Sequence, residues 1–113
     1  MNDRNEQGVT VRHHPDKSRF DVLLDDVHAG FSMYEDLGAD SARQRIFYYT
    51  VVFDEFEGRG LDSILARIAL DASVRARHRI VAVCPYIKAW LSTHRDFDDA
   101  VDPVSPEHVQ ALR

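Results

Sequence analysis

With a single cysteine, Cys84, the chain can form no internal disulfide, so packing alone must hold it together. No apolar run approaches the roughly 20 residues that cross a bilayer, and Met1–Val11 is too polar for a signal peptide. Cations are also scarce: 14 Lys and Arg stand against 19 Asp and Glu, a formal net charge of −5. Such a chain repels polyphosphate, and no basic face interleaved with aromatics offsets this, which argues against a nucleic-acid partner. Metal-ligand spacing is missing as well. His13 and His14 are adjacent, neighbours on a strand point to opposite faces, and no Cys, Asp or Glu spacing completes a set. Together these absences predict a cytoplasmic protein with no membrane, nucleic-acid or metal partner.

What is present is enough for one packed domain. Apolar residues make up 44% of the 113 positions, and six Phe, four Tyr and one Trp supply bulk for a core. Met1–Gly8 is polar and unpatterned, which predicts a disordered N-terminal tail ahead of a domain over residues 9–113. Val9–Val11, Arg19–Leu24 and about His28–Tyr34 read as short strands of an antiparallel meander, the first two parted by the turn residues His14–Lys17. The polar connection Gly38–Gln44 leads to Arg45–Phe53, where β-branched and aromatic side chains fill both faces, predicting a central strand.

Beyond Asp54–Gly60 the apolar period changes. Leu61, Ile64, Leu65, Ile68 and Ala72 share one helix face, with Arg67, Asp71 and Arg75 toward solvent, predicting a helix to about Arg77. Ile80–Cys84 is a short apolar strand, and Pro85 suits the first position of a second helix whose Ile87, Trp90, Leu91 and His94 lie together. A last helix is expected near Pro106–Leu112. Four strands, a helix, a strand and a helix make an α/β fold: a mixed, mainly antiparallel central sheet with one crossover helix to a parallel pair.

Chemistry concentrates at that crossover. In Phe56-Glu57-Gly58-Arg59-Gly60-Leu61-Asp62, two glycines between a buried strand and a helix let backbone approach a ligand, and the helix N-terminus offers free donors. This is an anion cradle in principle; the plainer alternative is a tight loop. The segment resembles the coenzyme-A pyrophosphate loop of GNAT acetyltransferases, Gln/Arg-x-x-Gly-x-Gly/Ala, with Glu57 first, Gly60 on the glycine, and Asp62 where Gly or Ala is usual. It is closer to the short single-domain GNAT-like group, with its "His-Thr-Glu-Val" strand, "Glu-Gly-Gln/Arg-Gly-Ile/Leu-Gly" loop, and "Cys-Pro-Phe/Tyr" before "His-Pro-Glu-Tyr". Here these read Tyr49-Thr50-Val51-Val52, Glu57-Gly58-Arg59-Gly60-Leu61-Asp62, Cys84-Pro85-Tyr86 and His94-Arg95-Asp96-Phe97, covering about residues 19–98.

The resemblance implies a minimal GNAT-like acyltransferase fold that takes acetyl-CoA as co-substrate and an amine as acceptor. It implies cofactor contacts from Val52 and Phe53, in the strand whose backbone N–H polarises the thioester, and from Glu57, Gly58, Arg59, Gly60, Leu61 and Asp62. It also puts Cys84 near the reacting centre. A phenol is a poor base near neutral pH, so Tyr49 reads as an acid for the departing thiolate, a role also open to Cys84. Each has a plainer alternative: Cys84 a small buried residue, Arg59 a solvated charge, Trp90 and Tyr86 core and rim packing, His94 a C-terminal cap. The leading expectation is therefore an acetyl-CoA-dependent N-acetyltransferase. The alternatives are a catalytically degenerate acyl-CoA-binding or protein-interaction module, and a structural subunit using the acidic Asp96–Asp102 stretch or the N-terminal sheet edge. A homo-oligomer is compatible with each.

Overall fold

The computed structural model describes residues 2–4, 8–39 and 42–113, the first three by backbone alone. Among the described residues, seven strands form one sheet in chain order: β1 Asn2–Arg4, β2 Val9–His14, β3 Arg19–Leu24, β4 Val27–Leu37, β5 Gln44–Val52, β6 Arg79–Ala82 and β7 Val101–Asp102. The first five pair antiparallel, while β5, β6 and β7 run parallel. The expected mixed α/β sheet with a crossover helix is what forms. Asn2–Arg4 pairs with β2 inside the segment expected to be an unpatterned tail, whose residues 1 and 5–7 lie outside the described residues. Residues 40 and 41 of the connection before β5 lie outside them too.

Local chemistry sets the turns. Pro15–Lys17 makes one 3-10 turn closed by Ser18 in the left-handed region. Asp25 and Asp26, at φ 48° and 69°, form the two-residue hairpin between β3 and β4 whose twist matches that of the strands. Helix α1 spans Leu61–Arg75 and stops short of the expected Arg77, which turns left-handed at φ 66°. The exit is a Schellman closure, with His78 N–H donating to Ser73 O at 3.0 Å and Arg77 N–H to Val74 O at 2.9 Å. Helix α2, Pro85–Thr93, opens on proline as predicted, and His94 stacks on Trp90 with ring centroids 3.9 Å apart. Helix α3 spans Pro106–Ala111.

Helices α1 and α2 share one face of the sheet. Leu65, Ala69 and Leu70 of α1 and Ile87 and Trp90 of α2 join Val11, Phe20, Val22, Phe47 and Ile80 in one buried cluster. Each such aliphatic side chain contributes about 2 kcal/mol by leaving water. On the opposite face lie Ile46 and Val81, both fully buried, and α3, tied down where His108 Nε2 meets Gln44 Oε1 at 3.0 Å. Among the described residues, no helix is long and apolar enough to cross a membrane.

Candidate functional site

The site follows from how β5 loses a neighbour. It pairs with β4 along its length, but with β6 only from Gln44 to Phe47. There the N–H groups of Val83 and Cys84 both donate to Phe47 O, at 3.0 and 2.8 Å, and the chain leaves the sheet to start α2. A β-bulge coincides with this point: Met33 faces Tyr49 and Tyr34 faces Phe47, so Tyr48 is the extra residue and the strand bends. The far half of β5 therefore has no strand beside it on that edge, which leaves a gap in the sheet there.

Phe53 N–H is spent on Ala29 O at 2.8 Å, toward β4. Strand alternation then turns the N–H of Val52 into the gap. Beyond Val52 the chain makes one 3-10 turn, Asp54–Phe56, and enters α1 through Gly58 and Gly60 at φ 80° and 73°. A Cβ on either glycine would meet nothing within 4 Å, so both face open space. Val52, Phe56, Glu57, Gly58, Gly60, Leu61 and Asp62 line a cavity of about 330 Å³ there. Backbone, room and helix terminus thus suit the pyrophosphate of a coenzyme-A thioester. The charge is less accommodating: Asp54, Glu55, Glu57 and Asp62 surround one cation, the exposed Arg59. Asp62 Oδ1 also accepts the Ser63 N–H at 2.9 Å, so one first-turn donor already has an anionic partner.

Cys84 and Tyr49, paired as candidates in the sequence, do not meet. Cys84 is 3% exposed and its Sγ donates to Thr50 Oγ1 at 3.4 Å, while Thr50 Oγ1 lies 2.9 Å from Ser32 Oγ. Tyr49 is 49% exposed and packs on Phe31, with centroids 5.8 Å apart, on the face away from α1. Three polar residues come together that sequence reasoning passed over or took as packing. Ser63 Oγ accepts the indole N–H of Trp90 at 2.9 Å, and its O–H donates to the Tyr86 oxygen. Burial, then the negative charge of Asp62, push the Tyr86 phenol up to about 12 despite that bond. Tyr86 so stays protonated and can donate, beside Cys84 and the α1 N-terminus. The only sequence signal for this was its place in Cys84-Pro85-Tyr86.

Among the described residues, no group of three or more His, Cys, Asp or Glu side chains is arranged to hold a metal ion. His94 acts as the cap expected of it, with Nδ1 2.8 Å from Trp90 O.

Residues 19–100 match the family model described as GCN5-related N-acetyl-transferase. No curated protein sequence matches the chain. Among solved structures, a GCN5-like N-acetyltransferase candidate of Staphylococcus aureus superposes with a TM-score of 0.60 at 16% identity, over 87% of this chain and 92% of its own. The ribosomal-protein-alanine N-acetyltransferase of Brucella melitensis biovar Abortus 2308 gives 0.55 at 13%, over 88% of this chain and 66% of its own. An aminoglycoside acetyltransferase from an uncultured soil metagenomic sample, in complex with sisomicin, gives 0.54 at 13%, over 89% and 64%. At these identities the likeness is one of fold.

Proposed function

Since the chain belongs to the GCN5-related N-acetyltransferase family, we propose that it transfers the acetyl group of acetyl-CoA to an amine. The observation that carries this reading is the gap beside β5, which offers the Val52 N–H next to a glycine-lined cavity at a helix N-terminus. Acetyl-CoA supplies the activated thioester. In this reading Gly58, Gly60 and the α1 terminus receive its pyrophosphate, Arg59 screens that charge, and Val52 N–H stabilises the oxyanion that forms at the carbonyl. Tyr86 delivers a proton to the departing thiolate. The phenol is protonated across the neutral range, and Cys84 and Thr50 shape the adjoining wall. Tyr49 belongs to the acceptor side.

A second reading is favoured by the carboxylates around the loop: an acyl-CoA-binding module without catalysis. Thermal melting with acetyl-CoA, free CoA and ATP, followed by a thiol-release assay, separates the two. A ligand at about 100 times its Kd adds roughly 2.7 kcal/mol of stability. A shift with both CoA species but not ATP, with thiol release, is expected. A shift without release selects the binding module, and no shift at millimolar ligand sinks both.

A further inference from the structure

Resting on the acetyltransferase reading, we infer that His28 is the general base that takes the proton of the acceptor amine, and that Asp21 is its positioning residue. Asp21 is a carboxylate with its side chain only 7% exposed, on the sheet face opposite α1. Packing does not call for it there. Its Oδ1 lies 3.0 Å from His28 Nε2 and 3.1 Å from Arg19 Nε, and its Oδ2 lies 3.0 Å from His14 Nε2. A carboxylate only accepts, so Nε2 of His28 carries hydrogen and Nδ1 of the neutral ring carries the lone pair. The His28 side chain is 41% exposed, within reach of solvent and of a small substrate.

Two imidazoles share this carboxylate, and position distinguishes them. His14 is on β2, next to Arg19 in register and two strands from β4. His28 is on β4, beside β5, with its ring edge-on to Phe53 at 5.3 Å and stacked with Phe31 at 6.2 Å. Phe53 follows Val52, whose N–H faces the gap. Phe31 of β4, Tyr49 of β5 and Phe53 just beyond it continue as an aromatic floor, with Phe31 6.2 Å from Phe53. The β5 positions beside Met33 and Phe31 on this face, 49 and 51, hold Tyr and Val, neither of them a base suited to neutral pH. An imidazole is the side chain best matched to that task.

In the step that follows, the amine nitrogen bonds to the thioester carbonyl carbon while one of its protons passes to His28 Nδ1, directly or through one water. The carbon–sulfur bond breaks with its electron pair on sulfur, which takes the Tyr86 proton. The charged groups facing His28 are Asp21 and Arg19 of β3, with His14 and Arg12 of β2 behind the carboxylate.

The test is thiol release from acetyl-CoA with a panel of amines, from about pH 5 to 8, in wild type and in His28→Gln, Asp21→Asn and His14→Gln. His28→Gln is expected to lower kcat/KM about 100-fold, flatten the acid limb of the profile and leave acetyl-CoA binding unchanged. Asp21→Asn should lower kcat about 10-fold, with added imidazole restoring His28→Gln alone. His14→Gln should stay within about twofold. An unchanged acid limb in His28→Gln, or an equal loss in His14→Gln, overturns the assignment. Release from no amine, with acetyl-CoA still raising the melting temperature, overturns it while leaving the binding reading intact. Absence of that shift overturns the reading beneath it. If His28→Gln does not fold, nitrogen NMR of the wild-type ring decides: the Nε2–H tautomer is expected, and the Nδ1–H tautomer ends the proposal.

Discussion

His13 Nε2 lies 2.5 Å from the Tyr34 hydroxyl, joining residues 21 positions apart across β2 and β4. Burial raises the Tyr34 pKa, so the phenol keeps its proton and donates it, and His13 must be neutral to accept. The His13 ring also stacks on Phe20, with centroids 4.1 Å apart.

This fixes the acid behaviour of the fold. Burial first, then the Arg45 charge, lower the His13 pKa from 6.5 to about 4, and burial also moves the His78 pKa downward. The unfolded chain therefore binds more protons between those values, and stability rises with pH through the window. It is complete above about 6.5 and lost as pH falls toward 4, by about 2 kcal/mol once partial exposure is allowed for. A melting series should show this slope, and His13→Phe, which keeps the stack but binds no proton, should flatten it. An unchanged slope would sink the account.

Arg45 organises the same end of the sheet. Its guanidinium lies 4.0 Å over the Tyr34 ring, forks onto both Asp36 oxygens at 2.8 and 3.0 Å, and reaches Ser73 Oγ at 3.3 Å. Asp36 is 45% exposed and can rehydrate, so Arg45→Met should cost about 2 kcal/mol rather than the larger loss of a fully buried pair. Denaturant unfolding measures this. Acetyl-CoA affinity, set at the opposite end of β5, should stay as it was.

Asp62 holds a donor that a phosphate would use. Removing its charge in Asp62→Ala should tighten acetyl-CoA binding about fivefold, since a charge at a helix N-terminus is worth up to about 1 kcal/mol. The free protein should lose a similar amount of stability. Calorimetric titration giving equal or weaker binding would show that the carboxylate does not compete.

Gly60→Ala separates strain from obstruction. The new Cβ meets no atom, so the folded chain loses only about 1 kcal/mol for its φ of 73°. The methyl group points into the cradle, however, and acetyl-CoA affinity should fall about tenfold. A variant that binds as well as wild type would move the pyrophosphate elsewhere.

Tyr86→Phe removes the proposed acid while leaving the ring. Thiol release should fall about 100-fold with acetyl-CoA affinity unchanged. A full rate would return the role to Cys84, for which Cys84→Ala is the companion measurement.

Much of this was legible in the residues. The period of Leu61, Leu65 and Ala72, the density of Arg45–Phe53 and the proline at 85 each fixed an element by local physics. The two glycines marked the loop because no other residue takes positive φ there at so little cost. What escaped depends on partners far along the chain. Strand β7 is two residues long and exists because Arg79 and Gln44 hold Asp102 at 2.8 and 2.9 Å. The shared face of Asp21 and His28 was hidden by the irregularity at Val22/Leu23, where Gly30 faces Val22 and His28 faces Leu23. One extra residue, Ala29, reverses which side every later side chain takes, and nothing in the local pattern announces it. The same holds for Tyr48 on β5, which decides that Tyr49 and Cys84 part company.

The sheet is laid down in the order in which the chain is made, and that has a kinetic consequence. Each strand from β2 onward docks against the one just synthesised, so no strand waits at an open edge for a later segment to fill the space beside it. Loop-closure entropy is met in small instalments, and α1, with its crossover to β6, is the longest excursion between successive strands. A chain emerging from the ribosome can complete β2 through β5 before α1 exists. Folding should then be fast for a protein so rich in strand, and its slow step should be the seating of α1 and β6 on a meander already in place.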